Sequence, residues 1–252
     1  MHYTHPALRI MILKHEKENP MDKAEEFLNL YKELEAAAAE EYGLKSNGSV
    51  VYTLSGMKEF KSIRSELDFC RDVRNLLSHR PKIDSSYAVE PSEEMIELLK
   101  KCINFVKNPK RSRNIMTKLE DVYCCTFKDD VPTALRAMSK CGFSFIPIVE
   151  DNILAGVLSE GAAVRYILNT PDVKVPEKFT FESIKEFVSI EALDPAEFVF
   201  VSEKKKVSDI SSMFDEALTV KKRIKMVFVT ETGLKSEPLE GIITAWDLAA
   251  CM

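Results

Sequence analysis

The sequence predicts an α+β protein: an N-terminal all-helical bundle followed by two α/β repeats, each ordered strand-helix-strand-strand-helix. Three observations carry this. Apolar residues recur with helical spacing through most of residues 1–108. From about residue 114 the pattern changes to short apolar runs of strand length, separated by single amphipathic helices. Two of those runs also end alike, Gly156-Val157-Leu158-Ser159 and Gly241-Ile242-Ile243-Thr244, so one unit occurs twice.

In chain order, residues 6–17 predict a helix with Leu8, Met11 and Ile12 on one side, broken by Asn19-Pro20. Residues 21–42 predict a longer one: Phe27, Leu30, Tyr31, Leu34 and Ala38 share a face, and Gly43 suits the C-cap. Residues 44–56, with Asn47-Gly48 and Val50-Val51-Tyr52, read as a loop with room for a short strand. A third helix runs from Glu59 to about Ser78, ended by Pro81, and a fourth from Ser92 to about Val106. Residues 109–113, a proline with three basic residues, read as a linker to residues 114–252.

The first repeat, about 114–170, opens with Val122, Cys125 and Phe127 as a strand. It continues through the helical Val131–Met138, the strand Phe145–Val149, a turn at Glu150-Asp151-Asn152 and the Gly156 strand. The second, about 190–252, repeats the order with Phe198–Val201, the helical Val207–Phe214, Met226–Val229, a turn near Glu231-Thr232-Gly233 and the Gly241 strand. Thr244 suits an N-cap, because its hydroxyl can accept an orphan backbone N–H. Asp247, three residues on, lies near the positive end of the helix dipole. The pair reads either as an ordinary capped helix start or as a holder for the two hydroxyls of a ribose.

On these blocks, residues 114–252 resemble a tandem pair of cystathionine-β-synthase-type (CBS) domains, and Asn114-Ile115-Met116-Thr117 matches the usual lead-in to such a pair. The resemblance implies an adenosine-containing ligand between the repeats: AMP, ADP, ATP, S-adenosylmethionine or a cyclic dinucleotide. In the family motif, Gly-x-x-Thr/Ser-x-x-Asp, the hydroxyl and the acid hold the ribose. Gly241, Thr244 and Asp247 match in full, whereas the first copy has Ser159 but Ala162 at the acid position and Gly161 beside it. One competent site, around the second repeat, is therefore expected. The basic run Lys221, Lys222, Arg223 and Lys225 supplies candidates for phosphate neutralisation, Lys225 foremost, or is simply a solvated face.

The third helix carries a second constellation. Its apolar stripe of Phe60, Ile63, Leu67 and Cys70 meets Arg74 before resuming at Leu77. An arginine in an apolar seam is costly unless something satisfies it. Asp68 and Asp72 are badly spaced for it, so this helix end points to a partner, a cleft or an anion. His79 follows five residues later. Arg74, Asn75 and His79 resemble the signature of HEPN domains, helical bundles that dimerise and in many members cleave RNA without metal. The resemblance implies that Arg74 holds the scissile phosphate, Asn75 orients the phosphate or the histidine, and His79 moves protons. Arg71, Arg80 and Lys82 are further phosphate candidates; His2, His5 and His15 read as incidental. Two function classes stay open: a nucleotide-gated endoribonuclease, and a non-catalytic regulatory module whose helical part only dimerises or docks a partner.

Composition bounds the rest. The 252 residues suffice for about two domains, 45% are hydrophobic, and the net charge of −5 argues against general nucleic-acid binding. The six cysteines form no CxxC pair, and the four histidines show no metal-ligand spacing, so no metal is expected. No signal peptide and no apolar run near 18 residues can be read, which predicts no membrane contact and a cytoplasmic protein. A homodimer is expected from both resemblances.

Overall fold

The computed structural model describes residues 22–44, 49–79, 87, 89–170 and 179–251. The chain forms two compact units that divide between residues 108 and 109. The helix expected over 6–17, the Asn47-Gly48 and Pro81 breaks, and His2, His5, His15, Arg80 and Lys82 lie outside the described residues.

The N-terminal unit is helical throughout. Helix α1, Lys23–Tyr42, starts where the Asp22 carboxylate accepts the Ala24 N–H at 3.0 Å, and stops at Gly43, whose φ of +64° is left-handed. Its buried face is Phe27, Tyr31, Leu34 and Ala38, as the spacing requires. Helix α2, Val50–Gly56, corrects the expected loop. Valines are weak helix formers, but burial outweighs propensity here: Val50, Val51 and Leu54 all enter the core, and the Ser49 hydroxyl accepts the Tyr52 N–H. The expected third helix is split. A 3₁₀ turn, Lys58–Ile63, leads into helix α3, Arg64–His79. Helix α4, Glu93–Lys107, is capped by Ser92. Phe27, Leu34, Leu54, Phe60, Leu67 and Leu99 form the fully buried centre, each contributing about 1.5–3 kcal/mol by leaving water.

The C-terminal unit comprises β1 (Thr117–Lys118), α5 (Val131–Cys141), β2 (Phe145–Glu150), β3 (Ile153–Ser159), α6 (Glu160–Asn169), α7 (Lys185–Val188), β4 (Phe198–Ser202), α8 (Val207–Thr219), β5 (Met226–Thr230), β6 (Gly241–Ile243) and α9 (Ala245–Ala249). Strands β2 and β3 form an antiparallel hairpin. Its two turn residues, Asp151 and Asn152, have φ of +48° and +64°, which suits the twist of a two-residue hairpin loop. The second sheet is ordered β1-β6-β5-β4; β4 and β5 run parallel, joined through α8, and the other pairs are antiparallel.

The second repeat thus has the expected element order, but the first lacks its opening strand. Only Cys125 bridges β2, opposite Ile148, donating to Pro147 O at 3.0 Å and accepting from Val149 N at 2.8 Å. The ladder stops on both sides for a reason. Pro147 has no N–H for the next rung, and the Phe127 N–H turns to the Glu150 carboxylate at 2.7 Å. Residues 179–189 belong to neither repeat as read from the sequence. Phe181, Ile184 and Val188 of that segment are fully buried with Cys125, Phe127, Ile146 and Leu158, so it completes the first repeat's core.

The two halves of this unit complete each other's sheets. Strand β1, which precedes the first repeat, pairs with β6 of the second: Thr117 lies opposite Ile242 and Lys118 opposite Gly241. Reciprocally, Ser189, which precedes β4, bridges Gly156 of β3. The crossing backbones pass so close that a Cβ on Gly241 would stand 2.4 Å from Thr117 O, and one on Gly156 2.2 Å from Val188 O. The glycine that opens each motif is there to admit a backbone. Residues 110–113, expected as a linker, are fastened beside β4. Lys110 O accepts from Val207 N at 2.9 Å, and the buried Ser112 donates from its hydroxyl to Ser202 O at 2.6 Å and from its N–H to Lys205 O at 2.7 Å.

Candidate nucleotide-binding site

The most specific constellation of the sequence forms at the β6–α9 corner. Ile243 and Leu248, both buried, anchor the strand and the helix that follows. Between them the chain turns through Thr244, extended at φ −114° and ψ 171°. The Thr244 hydroxyl and the Thr244 N–H both donate to Asp247 Oδ2, each at 2.7 Å. Asp247 is therefore oriented by its neighbour, and both residues are half-buried. This leaves Asp247 Oδ1 and the hydroxyl lone pairs of Thr244 as two fixed acceptors at one corner. A vicinal diol presents two matching O–H donors.

The first repeat's corner lacks this chemistry. The Ser159 hydroxyl accepts the Ala162 N–H at 3.1 Å, and Ala162, at the acid position, is buried. That corner forms a capped helix start. Lys225, expected near the phosphate, is engaged elsewhere: its ammonium pairs with Glu197 Oε2 at 2.7 Å, and its N–H donates to Glu197 O. Lys221, Lys222 and Arg223 are exposed.

In the helical unit, Arg74 and Asn75 lie together on α3. Arg74 Nη1 donates to Asn75 Oδ1 at 3.3 Å, and the guanidinium sits 5.7 Å from the Tyr31 ring centre. Asp68 and Asp72 pair with Arg71 instead, at 3.0 and 3.8 Å. Among the described residues Arg74 makes no ion pair. His79 closes α3, and its side chain lies outside the described residues. Tyr31 and Tyr52, which sequence reasoning assigned to a core face and a loop, stand beside Arg74 and Arg71. Among the described residues there is no cluster of His, Cys, Asp and Glu that could hold a metal, and no helix is long and apolar enough to cross a membrane.

Comparison with known proteins gives a match to the CBS domain family over residues 113–169. Those residues form a CBS domain. The match covers the lead-in, β1 and the elements from α5 to α6, so the complete motif at Gly241, Thr244 and Asp247 lies beyond this CBS domain, in the second repeat. No curated protein matches. Among solved structures, the CBSX2 protein in complex with AMP is 19% identical, with 56% of this chain and 94% of that chain covered and a TM-score of 0.40. A hemolysin-like CBS protein of Oenococcus oeni is 20% identical, with 58% and 93% covered and a TM-score of 0.39. The CBS domain pair of MJ0100, in complex with 5′-methylthioadenosine and S-adenosylmethionine, is 15% identical, with 57% and 96% covered and a TM-score of 0.39.

Proposed function

We propose that this protein is a nucleotide-sensing regulatory module in which residues of about 190–252 form a second CBS repeat and hold the ribose of an adenosine-containing ligand. The observation that carries this reading is the pair of acceptors at the β6–α9 corner, with Asp247 aimed by two bonds from Thr244. One ribose hydroxyl donates to Asp247 Oδ1 and the other to Thr244. AMP, ADP, ATP and S-adenosylmethionine share that diol, so the corner selects the class and leaves the choice within it to the groups around base and phosphate. Ligand binding regulates only if it favours one state of the protein over another.

Calorimetric titration with these four ligands tests the assignment. Asp247→Asn retains an oxygen to cap Thr244 but loses the charge. A hydrogen bond to a charged group contributes about 1.5–3 kcal/mol, so the best ligand of the wild type is expected to bind about 10- to 150-fold more weakly. Equal affinity of a folded Asp247→Asn or Asp247→Ala protein would remove the ribose from this corner.

A second reading concerns the helical unit, favoured by an arginine that lies half-buried in a cleft without an ion pair among the described residues. Here the unit is HEPN-like and homodimeric, and it cleaves RNA without metal. Arg74 binds the scissile phosphate, Asn75 orients it and His79 relays protons. Cleavage of a labelled RNA pool in EDTA, lost in His79→Ala and altered by one adenine ligand, is the expected result. Absence of cleavage under every ligand leaves the non-catalytic regulatory module.

A further inference from the structure

Three backbones come together at the Thr244/Asp247 corner. Ile243 of β6 lies opposite Val227 of β5, and Met226 of β5 lies opposite Phe198 of β4. Thr244 therefore leaves the sheet at the edge where β4 and β5 begin. The residues just before those two strands are Glu197 and Lys225. Neighbouring strands lie about 4.8 Å apart, so Lys225 stands about one strand spacing from Thr244 and Glu197 about two. The two form a closed ion pair, with Lys225 Nζ 2.7 Å from Glu197 Oε2. Their main chains are fixed as well. The Lys225 N–H donates to Glu197 O at 2.7 Å, and the Glu197 N–H donates to Asp194 O at 2.9 Å. The side chains are 39% and 30% exposed, so a ligand can reach both.

This pair bears on which adenosine ligand fits. Glu197 already neutralises the lysine nearest the ribose corner and repels a phosphate brought to it, which is a built-in penalty against polyanions. Lys221, Lys222 and Arg223 lie further back along the same segment and are exposed, so a phosphate that avoids Glu197 meets only solvated partners. Fixed opposite charges match a zwitterion instead. An α-carboxylate bonds to Lys225 and an α-ammonium to Glu197, each with charge assistance. An adenosyl amino acid carries that zwitterion on its 5′ sulfur, a few bonds from the diol. The base and the diol are common to all the candidates, so discrimination falls on the 5′ end alone. We propose that Glu197 and Lys225 select an adenosyl amino acid, S-adenosylmethionine or S-adenosylhomocysteine, over the adenosine phosphates. This inference rests on the reading of Thr244 and Asp247 as the ribose holder.

Calorimetry on the full chain compares S-adenosylmethionine, S-adenosylhomocysteine, 5′-methylthioadenosine, AMP and ATP. 5′-Methylthioadenosine keeps the base, the diol and the sulfur but lacks the amino acid. At least one adenosyl amino acid is expected to bind about tenfold or more tighter than each of the other three. The two adenosyl amino acids against each other report whether the sulfonium charge counts. In Glu197→Gln, which releases Lys225 to a phosphate, the affinity of the best adenosyl amino acid relative to AMP is expected to fall about tenfold or more. Lys225→Gln is expected to weaken the same ligand by a similar factor; circular dichroism checks that both variants are folded. The selection is overturned if AMP or ATP binds tightest, if 5′-methylthioadenosine binds within about twofold of both adenosyl amino acids, or if both folded variants keep the wild-type order and ratios. Asp247→Ala tells the two readings apart. A preference for AMP or ATP that is lost in Asp247→Ala removes the selection and leaves the ribose corner standing, whereas unchanged affinities in Asp247→Ala, or no binding to wild type, remove both.

Discussion

Substituting Gly241 by alanine places a methyl group where the structure has a backbone carbonyl. The new Cβ would lie 2.4 Å from Thr117 O, with Lys118 Cα and Met116 Cγ each at 3.2 Å. Ordinary C···O contacts begin about 1 Å further out. The nearest atom belongs to the main chain and cannot rotate away, so β1 has to shift or release β6. Forced overpacking of this kind costs about 1–3 kcal/mol. For a unit of this size that lowers Tm by about 3–9 °C. Gly161→Ala is the matched control. Its nearest neighbours, Arg165 Nη1 and Ser159 Oγ, are both 3.8 Å away, and it lies in the first turn of α6, where alanine stabilises by up to about 1 kcal/mol. Thermal melts followed by circular dichroism compare the two. Hydrogen exchange then locates the damage: the Leu119 amide, which donates to Glu240 O at 2.9 Å just past β1, is expected to exchange faster in Gly241→Ala. A Gly241→Ala protein as stable as wild type, with Leu119 still protected, would refute the crossing-strand account of this glycine.

Two further outcomes follow from individual contacts. Ser112→Ala removes the hydroxyl that donates to Ser202 O and is expected to cost about 1 kcal/mol, read as an earlier urea midpoint; an unchanged midpoint would mean that residues 110–113 are held by their backbone bonds alone. Glu237 accepts from the Thr232 hydroxyl, the Thr232 N–H and the Leu234 N–H, with the Thr232 hydroxyl bond as the largest influence, and these hold its carboxyl down to about 2. Its contribution is therefore present above the ordinary glutamate range and lost as pH falls from about 4 to 2. Carboxyl-carbon NMR of Glu237 is expected to titrate near pH 2, and a midpoint near 4 would show that the turn does not hold the acid.

What the sequence could show was set by how local each interaction is. Helices α1 and α4 carry their caps and apolar stripes within a few residues, so their type and ends were legible. Helix α2 was not: Val50-Val51-Tyr52 has strand propensity, and only burial of Val50, Val51 and Leu54 against the other helices makes it helical. The missing first strand could have been suspected from Pro147, but the loss of Phe127 to Glu150 depends on a contact 23 residues apart. The same distinction divides the candidate sites. Thr244 and Asp247 are three residues apart, and their spacing already implied their bond. Lys225 gave no sign that Glu197, 28 residues earlier, would take its charge. Tyr31 was placed correctly on the buried face of α1, but no periodicity tells where a phenol's oxygen points.

The exchange of β1 and the segment before β4 has a consequence for how the C-terminal unit acquires its structure. Thr117 and Ile242 are partners more than a hundred residues apart in the chain. Closing a loop that long brings no contact energy until it is complete, so pairings of this kind form late and slow the overall reaction. Until β6 is available, β1 is an unpaired edge, and β3 likewise waits for Ser189. The second sheet therefore cannot be completed by the second repeat's own residues, and the Thr244/Asp247 corner, which begins one residue beyond β6, adjoins this longest-range pairing.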